Sequence, residues 1–359
     1  MLSEFFLRSF QILLLPFALI YWFIILIRNW MYDKKILSST SFGLPIICVG
    51  NLSVGGTGKS PMVEYLVQLL KSKFKVATLS RGYKRKTKGY SLADQNSTAL
   101  EIGDEPMVFH LKFPGVAVAV GEQRIEAIPQ LLHDKPETQT IILDDAFQHR
   151  AIKAGLNILL TEQGNLFTND FFLPTGDLRD QRSSYKRADI IVVTKCKADL
   201  SIEEKEKIRK EVDPLPHQQI FFTTIEYGLP YHILTNQTTE LDEEKEVLLI
   251  TGIANPKPLK KLLEENCKTY YMNLYSDHHI FTIDDLKEIK KRFENIDATD
   301  KIILSTEKDA VRLIKFNEQI TGLPLYIIPL KHKFLFNEEE AFNKIVTNFI
   351  ENFKQAGSN

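Results

Sequence analysis

Pro45-Ile46-Ile47-Cys48-Val49, then Gly50-Asn51-Leu52, then Ser53-Val54-Gly55-Gly56-Thr57-Gly58-Lys59-Ser60: this stretch decides the fold. A short apolar run leads into a glycine-rich turn that ends in Gly-Lys-Ser. Apolar residues at helical spacing follow, at Val63, Leu66, Val67 and Leu70. Strand, loop and helix in that order form the setting of a phosphate-binding loop. Glycines let backbone N–H groups curl around phosphate oxygens, and the helix N-terminus adds partial positive charge. In such a loop Lys59 reaches the β- and γ-phosphates, and the Ser60 hydroxyl ligates Mg²⁺. The strict pattern has Gly at position 53, where this chain has Ser, and the Gly55-Gly56 pair is expected to supply the missing flexibility.

Outward from the loop, β-rich runs recur at Val76–Leu79, Val116–Val120, Thr140–Leu143, Asn157–Leu160 and Asp189–Val193. Several are apolar throughout, as strands buried on both faces of a parallel sheet are. The expectation is an α/β fold: a P-loop NTPase-type parallel sheet flanked by helices. A second block repeats the alternation, with strands expected at Lys245–Thr251, Tyr270–Leu274, Lys301–Ser305 and Pro324–Pro329. A helix face runs through Ile283, Leu286, Ile289 and Phe293. Thr306 with Asp309 three residues on reads as a capping box. The polar, irregular stretch Ile225–Glu244 separates the blocks. The expected division is therefore 1–30, an N-terminal membrane-anchoring helix; 31–225, the phosphate-loop domain; 226–244, a linker; and 245–359, a smaller α/β domain. Its closing helix, Glu338–Phe353, is a candidate to pack back on the first domain.

Bulk composition is that of a soluble protein. Among 359 residues, 44% are apolar and 25% charged, with 45 Lys+Arg against 46 Asp+Glu and a formal net charge of −1. The mean hydropathy of −0.14 excludes a polytopic membrane protein. The balanced charge argues against a nucleic-acid partner, which calls for a basic excess. Cys48, Cys196 and Cys267 are odd in number, widely spaced and without a CxxC pair, so neither a disulfide framework nor a zinc site is implied. The averages conceal one feature. Ser9–Ile27 contains no charged residue and is bracketed by Arg8 and Arg28. About 20 apolar residues span a bilayer, so the run reads as one membrane-anchoring helix, spanning or lying in the interface. Arg28, Lys34 and Lys35 follow it, which by the positive-inside tendency puts the body at the cytoplasmic face.

A phosphate loop needs an acidic metal partner at another strand end. Thr140-Ile141-Ile142-Leu143-Asp144-Asp145 offers two, Asp144 by position and Asp145 as the alternative. Gln148 and His149 follow and are expected to face the phosphates. Arg81, at the end of another strand, is a phosphate-binding candidate with a surface salt bridge as its rival, and Arg179 is placed with it. The basic run Lys84-Arg85-Lys86-x-Lys88 suits a phosphate or an anionic headgroup, or equally a solvated loop. Where a guanine-reading [NT]KxD motif would stand, the chain has Thr194-Lys195-Cys196-Lys197. The Asp is replaced by Lys, which favours ATP.

Further short motifs come in a fixed order. Ser80-Arg81-Gly82-Tyr83 is followed by Gly103-Asp104-Glu105-Pro106, Asp144-Asp145-x-Phe147-Gln148-His149 and Leu173-Pro174-x-Gly176-x-Leu178-Arg179. The second block adds Thr251-Gly252-Ile253-x-x-Pro256, Asp277-His278 and Thr306-Glu307-Lys308-Asp309. With the phosphate loop and the apolar N-terminus, this set closely resembles the tetraacyldisaccharide 4′-kinase family, over nearly the whole chain. The resemblance implies ATP- and Mg²⁺-dependent phosphorylation of the 4′-hydroxyl of an acylated glucosamine disaccharide 1-phosphate, giving a lipid A precursor. It places that reaction at the cytoplasmic face of the inner membrane, with the bilayer as a partner. It also implies a catalytic pair, Asp104 and His278, acting beside Lys59. His278 rather than its neighbour His279 matches the family's Asp-His pattern. Glu105 is then a further Mg²⁺ candidate, directly or through water. Two rivals are a P-loop metallochaperone or transport ATPase and a membrane-tethered nucleotide sensor. The first calls for Cys clusters or a second loop lysine, both missing from this sequence, and the second has no need of Asp104 or His278. The sequence leaves the oligomeric state open.

Overall fold

A computed structural model describes residues 2–353, with the side chains of 2–13 left out. Met1 and residues 354–359, the ends of the expected segments 1–30 and 245–359, therefore lie outside the described residues, as does the Arg8 side chain.

The strands are β1 (Ile46–Asn51), β2 (Val76–Ser80), β3 (Ser91–Leu92), β4 (Ala117–Val120), β5 (Thr140–Asp144), β6 (Leu156–Glu162) and β7 (Ile190–Thr194). They continue with β8 (Gln219–Tyr227), β9 (Tyr231–His232), β10 (Glu246–Thr251), β11 (Thr269–Leu274), β12 (Lys301–Thr306), β13 (Leu325–Ile328) and β14 (Leu330–Phe334). The helices are α1 (Leu2–Asp33), α2 (Lys59–Leu70), α3 (Ala99–Ile102), α4 (Asp104–Lys112), α5 (Arg124–Asp134), α6 (Ile202–Val212), α7 (Lys257–Asn266), α8 (Ile283–Glu294), α9 (Glu307–Leu313), α10 (Asn317–Ile320) and α11 (Glu339–Glu351).

A nine-stranded sheet has the order β14-β8-β7-β6-β1-β5-β2-β4-β3. Its interior strands pair in parallel, and only the edges, β14 on β8 and β3 on β4, are antiparallel. The phosphate-loop strand β1 is central. Its neighbour β5 ends in Asp144, in register with Val49. Side chains alternate between sheet faces. Ile46 and Cys48 therefore enter one core with Leu79, Ile141 and Leu143, while Ile47 and Val49 enter the other with Leu66, Ile142 and Ile158. Strands buried on both faces read as unbroken apolar runs, and for that reason these were found from sequence.

The smaller sheet, β11-β10-β12-β13-β9, has its own two cores. Sheet membership departs from the expected division at 226–244. The ladder of β8 runs on to Tyr227, and β9, inside the expected linker, belongs to the small sheet. After β13 only Pro329 intervenes before β14, which returns to the edge of the large sheet. α11 follows it, with Phe342, Val346 and Ile350 in the core that contains Ile47 and Val49.

α1 contains a stretch, Leu14–Asp33, long and apolar enough to cross a membrane, of which 11% is buried against the protein. Its C-terminal half is docked by polar contacts. Tyr21 Oη donates to the Arg179 carbonyl at 3.0 Å, Arg28 to the Gln148 carbonyl at 2.7 Å, and Asn29 to Asp180 at 2.8 Å.

Where α2, α4 and α9 meet, Lys112 Nζ lies 2.5 Å from Glu64 Oε2 and 2.5 Å from Glu307 Oε1. One ammonium between two carboxylates leaves a negative charge in excess. Burial, reinforced by Glu307, pushes the Glu64 acid up to about 7 against the pull of Lys112. A carboxyl whose folded value lies above its unfolded one binds its proton more tightly in the native state. Its ionisation therefore penalises folding above the folded value, and the penalty is relieved as pH falls through it. Glu64→Gln is expected to raise Tm at about pH 8 and to have a smaller effect at about pH 6. Thermal unfolding at both values checks this, and a Tm difference independent of pH contradicts it.

Candidate active site

The phosphate loop is fastened at its entry and open at its centre. Ser53 is buried, its hydroxyl donating to Asp170 at 3.2 Å, and the Val54 N–H donates to the Asp177 carbonyl at 2.7 Å. Position 53 thus ties the loop down, and the Val54 N–H is not presented to a ligand. The Thr57 N–H turns back on Gly55 O, and the Thr57 hydroxyl accepts from Asn51. Among the described residues, the N–H groups of Gly56, Gly58, Lys59 and Ser60 have no hydrogen-bond partner. They sit at the start of α2, where orphan donors and the helix dipole favour a phosphate. Gly58 caps that helix at φ 85°, a left-handed conformation that favours glycine.

Acidic groups gather beside this cradle. Asp145, also in the left-handed region at φ 51°, is gripped by Arg179 through both oxygens and lies 3.7 Å from Lys59 Nζ. Burial opposes its charge, but Arg179 and Lys59 hold its acid below the usual carboxylate range. Arg179, also bound to the Asn51 side chain, is thus engaged by protein groups. Asp144 differs. It is buried, its Oδ1 has no hydrogen-bond partner, and burial together with Glu105 and Asp145 pushes its acid up to about 7. Behind it, Arg124 is buried against the Gly121 and Asp144 carbonyls. Glu105 takes a hydrogen bond from Lys308 at 2.6 Å and lies near the Ser60 hydroxyl. Burial opposes its charge as well, yet these partners and Lys59 hold its acid below the usual range.

A divalent cation fits this set. The unpartnered oxygen of Asp144 and the Ser60 hydroxyl are hard oxygen donors, and so is Glu105, which Lys308 holds through Oε1 alone, whereas Arg179 takes both oxygens of Asp145. Among the described residues no group of three or more His, Cys, Asp or Glu forms a metal site by itself. Two carboxylates and a hydroxyl completed by phosphate oxygens suit Mg²⁺, which takes few protein ligands beside a nucleotide.

One residue back from Glu105, Asp104 opens α4 and meets the small sheet's elements. His278 Nδ1 is 2.7 Å from Asp104 Oδ2. Arg312 donates Nε–H to Asp104 Oδ1 at 2.8 Å and Nη2–H to Oδ2, and its Nη2 is 2.9 Å from His278 Nδ1. Protonated, Nδ1 donates to Asp104; bare, it accepts from Arg312. Either state has a partner, so a proton can arrive or leave without orphaning an atom. His279 points elsewhere, to Asp285 at 3.0 Å and against the Tyr275 ring.

The loop carrying His278 is held by the residue expected to cap a helix. Thr306 does accept the Asp309 N–H at 3.3 Å. The buried Asp309 carboxylate, however, takes Thr251 Oγ1 at 2.9 Å and the Gly252 N–H at 3.2 Å in place of closing a capping box. The Gly252 carbonyl in turn accepts the His278 N–H at 3.1 Å. A Cβ on Gly252 would come 2.9 Å from the Ser276 carbonyl, so the position needs glycine.

Other expected site residues lie as follows. Gln148 Nε2 donates to the Asn51 carbonyl at 2.8 Å, tying its loop to β1. His149 is half-buried, and burial with nearby Arg124 lowers its pKa to about 4. Arg81 and Lys84 are exposed on the loop after β2, whereas Arg85 bonds Glu122 at 2.7 Å. Arg312 and Lys308 were not anticipated from sequence, although Lys308 stands inside a quoted motif.

A phosphate-type loop at the C-terminal ends of a parallel sheet, oxygen donors suited to a hard cation and a separate Asp104–His278–Arg312 cluster are the parts of which a P-loop phosphotransferase is made. Comparison with known proteins narrows this. The Tetraacyldisaccharide-1-P 4′-kinase family model matches residues 10–351. A Tetraacyldisaccharide 4′-kinase of Flavobacterium johnsoniae is 46% identical over 94% of this chain and 97% of its own length. That of Bacteroides thetaiotaomicron is 41% identical over 94% and 92%. The crystal structure of LpxK from Aquifex aeolicus in complex with ATP superposes with a TM-score of 0.74 at 29% identity, covering 95% of this chain and 99% of that one. The chain belongs to the tetraacyldisaccharide 4′-kinase family.

Proposed function

We infer that this chain transfers the γ-phosphoryl group of ATP to the 4′-hydroxyl of a tetraacyldisaccharide 1-phosphate, with Asp104 and His278 handling the hydroxyl proton. The observation that carries the residue assignment is the Asp104–His278–Arg312 knot, set one residue from Glu105 and so beside Ser60 and Lys59. The orphan N–H groups of the loop and the Lys59 ammonium bind the ATP phosphates. Mg²⁺ held by Asp144, Ser60 and Glu105 would neutralise charge on the β- and γ-phosphate oxygens. Arg312 fixes the Asp104 carboxylate and leaves it room to accept a further hydrogen bond, from the substrate hydroxyl. As the 4′ oxygen bonds to the γ-phosphorus, the bond to the β–γ bridging oxygen breaks and ADP leaves with its electron pair. The hydroxyl proton passes to Asp104, and His278 Nδ1 can relieve Asp104 of it. The pair joins α4 to the loop after β11, so small-sheet docking and assembly of the site go together.

The acceptor is a lipid, and α1 suits that. Phe17, Ile20, Phe23 and Ile24 are more than half exposed on one continuous helix, which is an apolar surface fitted to a bilayer. Arg28, Lys34 and Lys35 at its end favour a cytoplasmic body at the inner membrane. Purified protein given Mg·ATP and detergent-dispersed tetraacyldisaccharide 1-phosphate is expected to form a product with one added phosphate at the 4′ position, resolved by mass spectrometry. ATP hydrolysis without phosphorylated lipid would point to a switch ATPase and overturn the assignment.

A further inference from the structure

His332 lies on β14, outside every motif that points to the reaction, yet it touches the phosphate loop. Its Nε2 is 2.9 Å from the Gly58 carbonyl, and its Nδ1 is 2.9 Å from Thr223 Oγ1 on β8. The side chain is buried. A Cβ added to Gly58 would lie 3.0 Å from both Cε1 and Nε2 of the ring.

The partners assign the tautomer. A carbonyl only accepts, so Nε2 carries the proton and donates to Gly58 O. Nδ1 is then bare and accepts from the Thr223 hydroxyl. Burial keeps the ring neutral, lowering its pKa to about 4.

The Gly58 carbonyl belongs to the same peptide unit as the Lys59 N–H. In a trans peptide the two point in opposite directions. A donor fixed behind the carbonyl therefore aims the Lys59 N–H forward, among the orphan donors of the cradle. The same carbonyl also accepts the Met62 N–H at 3.1 Å, the first bond of α2, so both its lone pairs are engaged. The preceding peptide is held in the same way: Thr194 Oγ1, at the end of β7, donates to the Thr57 carbonyl at 2.8 Å and so aims the Gly58 N–H. Two consecutive peptide planes of the loop are thus clamped from behind by side chains of β7 and β14. Glycine at 58 makes the second clamp necessary, since its φ of 85° is one of several conformations open to it.

We propose that His332 is a positioning residue for ATP, fixing through the Gly58 carbonyl the peptide plane that aims the Lys59 N–H at a phosphate oxygen. The proposal rests on the loop being the ATP site.

Four variants test it, with ATP binding followed by calorimetry and KM for ATP and kcat by lipid phosphorylation, each on the full-length protein in detergent. His332→Ala removes the donor and is expected to raise Kd and KM for ATP about five- to tenfold, the affinity ratio of one ordinary hydrogen bond. Because the contact is made alike before and during transfer, kcat is expected to change less than about twofold. His332→Gln places an amide N–H close to the Nε2 position and is expected to restore binding to within about twofold. His332→Asn places its amide near the Nδ1 position, facing Thr223, and is expected to bind as weakly as His332→Ala. A merely structural role would not separate Gln from Asn in this way. Thr223→Val frees the ring from its tautomer and is expected to weaken ATP about two- to threefold; it carries the test if His332→Ala does not fold. Equal ATP affinity in the Gln and Asn variants, or a fall in kcat at unchanged Kd, overturns the proposal. Failure of the wild-type protein to bind ATP would instead overturn the reading of the loop.

Discussion

Asp104→Asn is expected to lower kcat by about 10³- to 10⁴-fold, the upper range for loss of a positioned proton acceptor, which is the role proposed for Asp104. The amide keeps the shape of the carboxylate, but it cannot take the hydroxyl proton. It also sets an N–H₂ against an Arg312 N–H in either orientation, and against His278 as well when it takes the Oδ2 position, so the guanidinium loses one of its acceptors. Kd for ATP is expected to stay within about threefold, because the nucleotide cradle lies on β1 and α2 and makes no contact with Asp104. Initial rates of lipid phosphorylation together with ATP calorimetry separate the two terms. A variant that keeps more than about a tenth of the wild-type kcat would remove Asp104 from the proton path. Asn is the informative substitution. Asp104→Ala would also strand the nearly buried Arg312 guanidinium, so its effect would mix catalysis with stability.

Lys59→Ala is expected to cost about 10²- to 10³-fold in kcat, as removal of one donor from a preorganised charge-stabilising site does. The side chain now lies between the Gly55 carbonyl, at 3.4 Å, and Asp145, at 3.7 Å. Both contacts are long, so little is lost when the ammonium turns to the β- and γ-phosphates. Asp145 keeps Arg179 as its partner after the substitution, so the fold is expected to survive. KM for the lipid should move by less than about threefold, since the role proposed for Lys59 is to stabilise charge on the phosphoryl group and not to hold the acceptor. A matching rise in lipid KM would show that Lys59 helps to seat the disaccharide.

Much of the fold was legible because a doubly buried strand has no polar face. β1, β5, β6 and β7 stand out as apolar runs, and each ended within a few residues of its expected position. β14 did not stand out. Its sequence, LKHKF, alternates, with Lys331 and Lys333 exposed on an edge strand and His332 and Phe334 inward. Charges on an edge strand discourage pairing with other chains, and they also disguise the strand. β8 was missed because its second half, Thr223–Tyr227, looks polar, although Thr223 and Thr224 are buried under the β14 pairing. Missing this ribbon hid His332.

By itself the sequence determined the phosphate loop, the acidic strand end, the apolar N-terminus and the Asp104 and His278 candidates, since each is a local pattern or part of an ordered set of motifs. Only the tertiary structure decided how the carboxylates are partnered. Asp144 and Asp145 are adjacent in sequence, but a left-handed turn gives one to Arg179 and leaves the other buried with an open oxygen. The same holds for Arg312, 208 residues from the Asp104 it grips, and for His332, 274 residues from Gly58. No local periodicity records a contact of that range. It exists because a strand returns from the small sheet to the large one and because α9 docks on α4. Burial then turns those placements into charge pairing, tautomer and proton affinity.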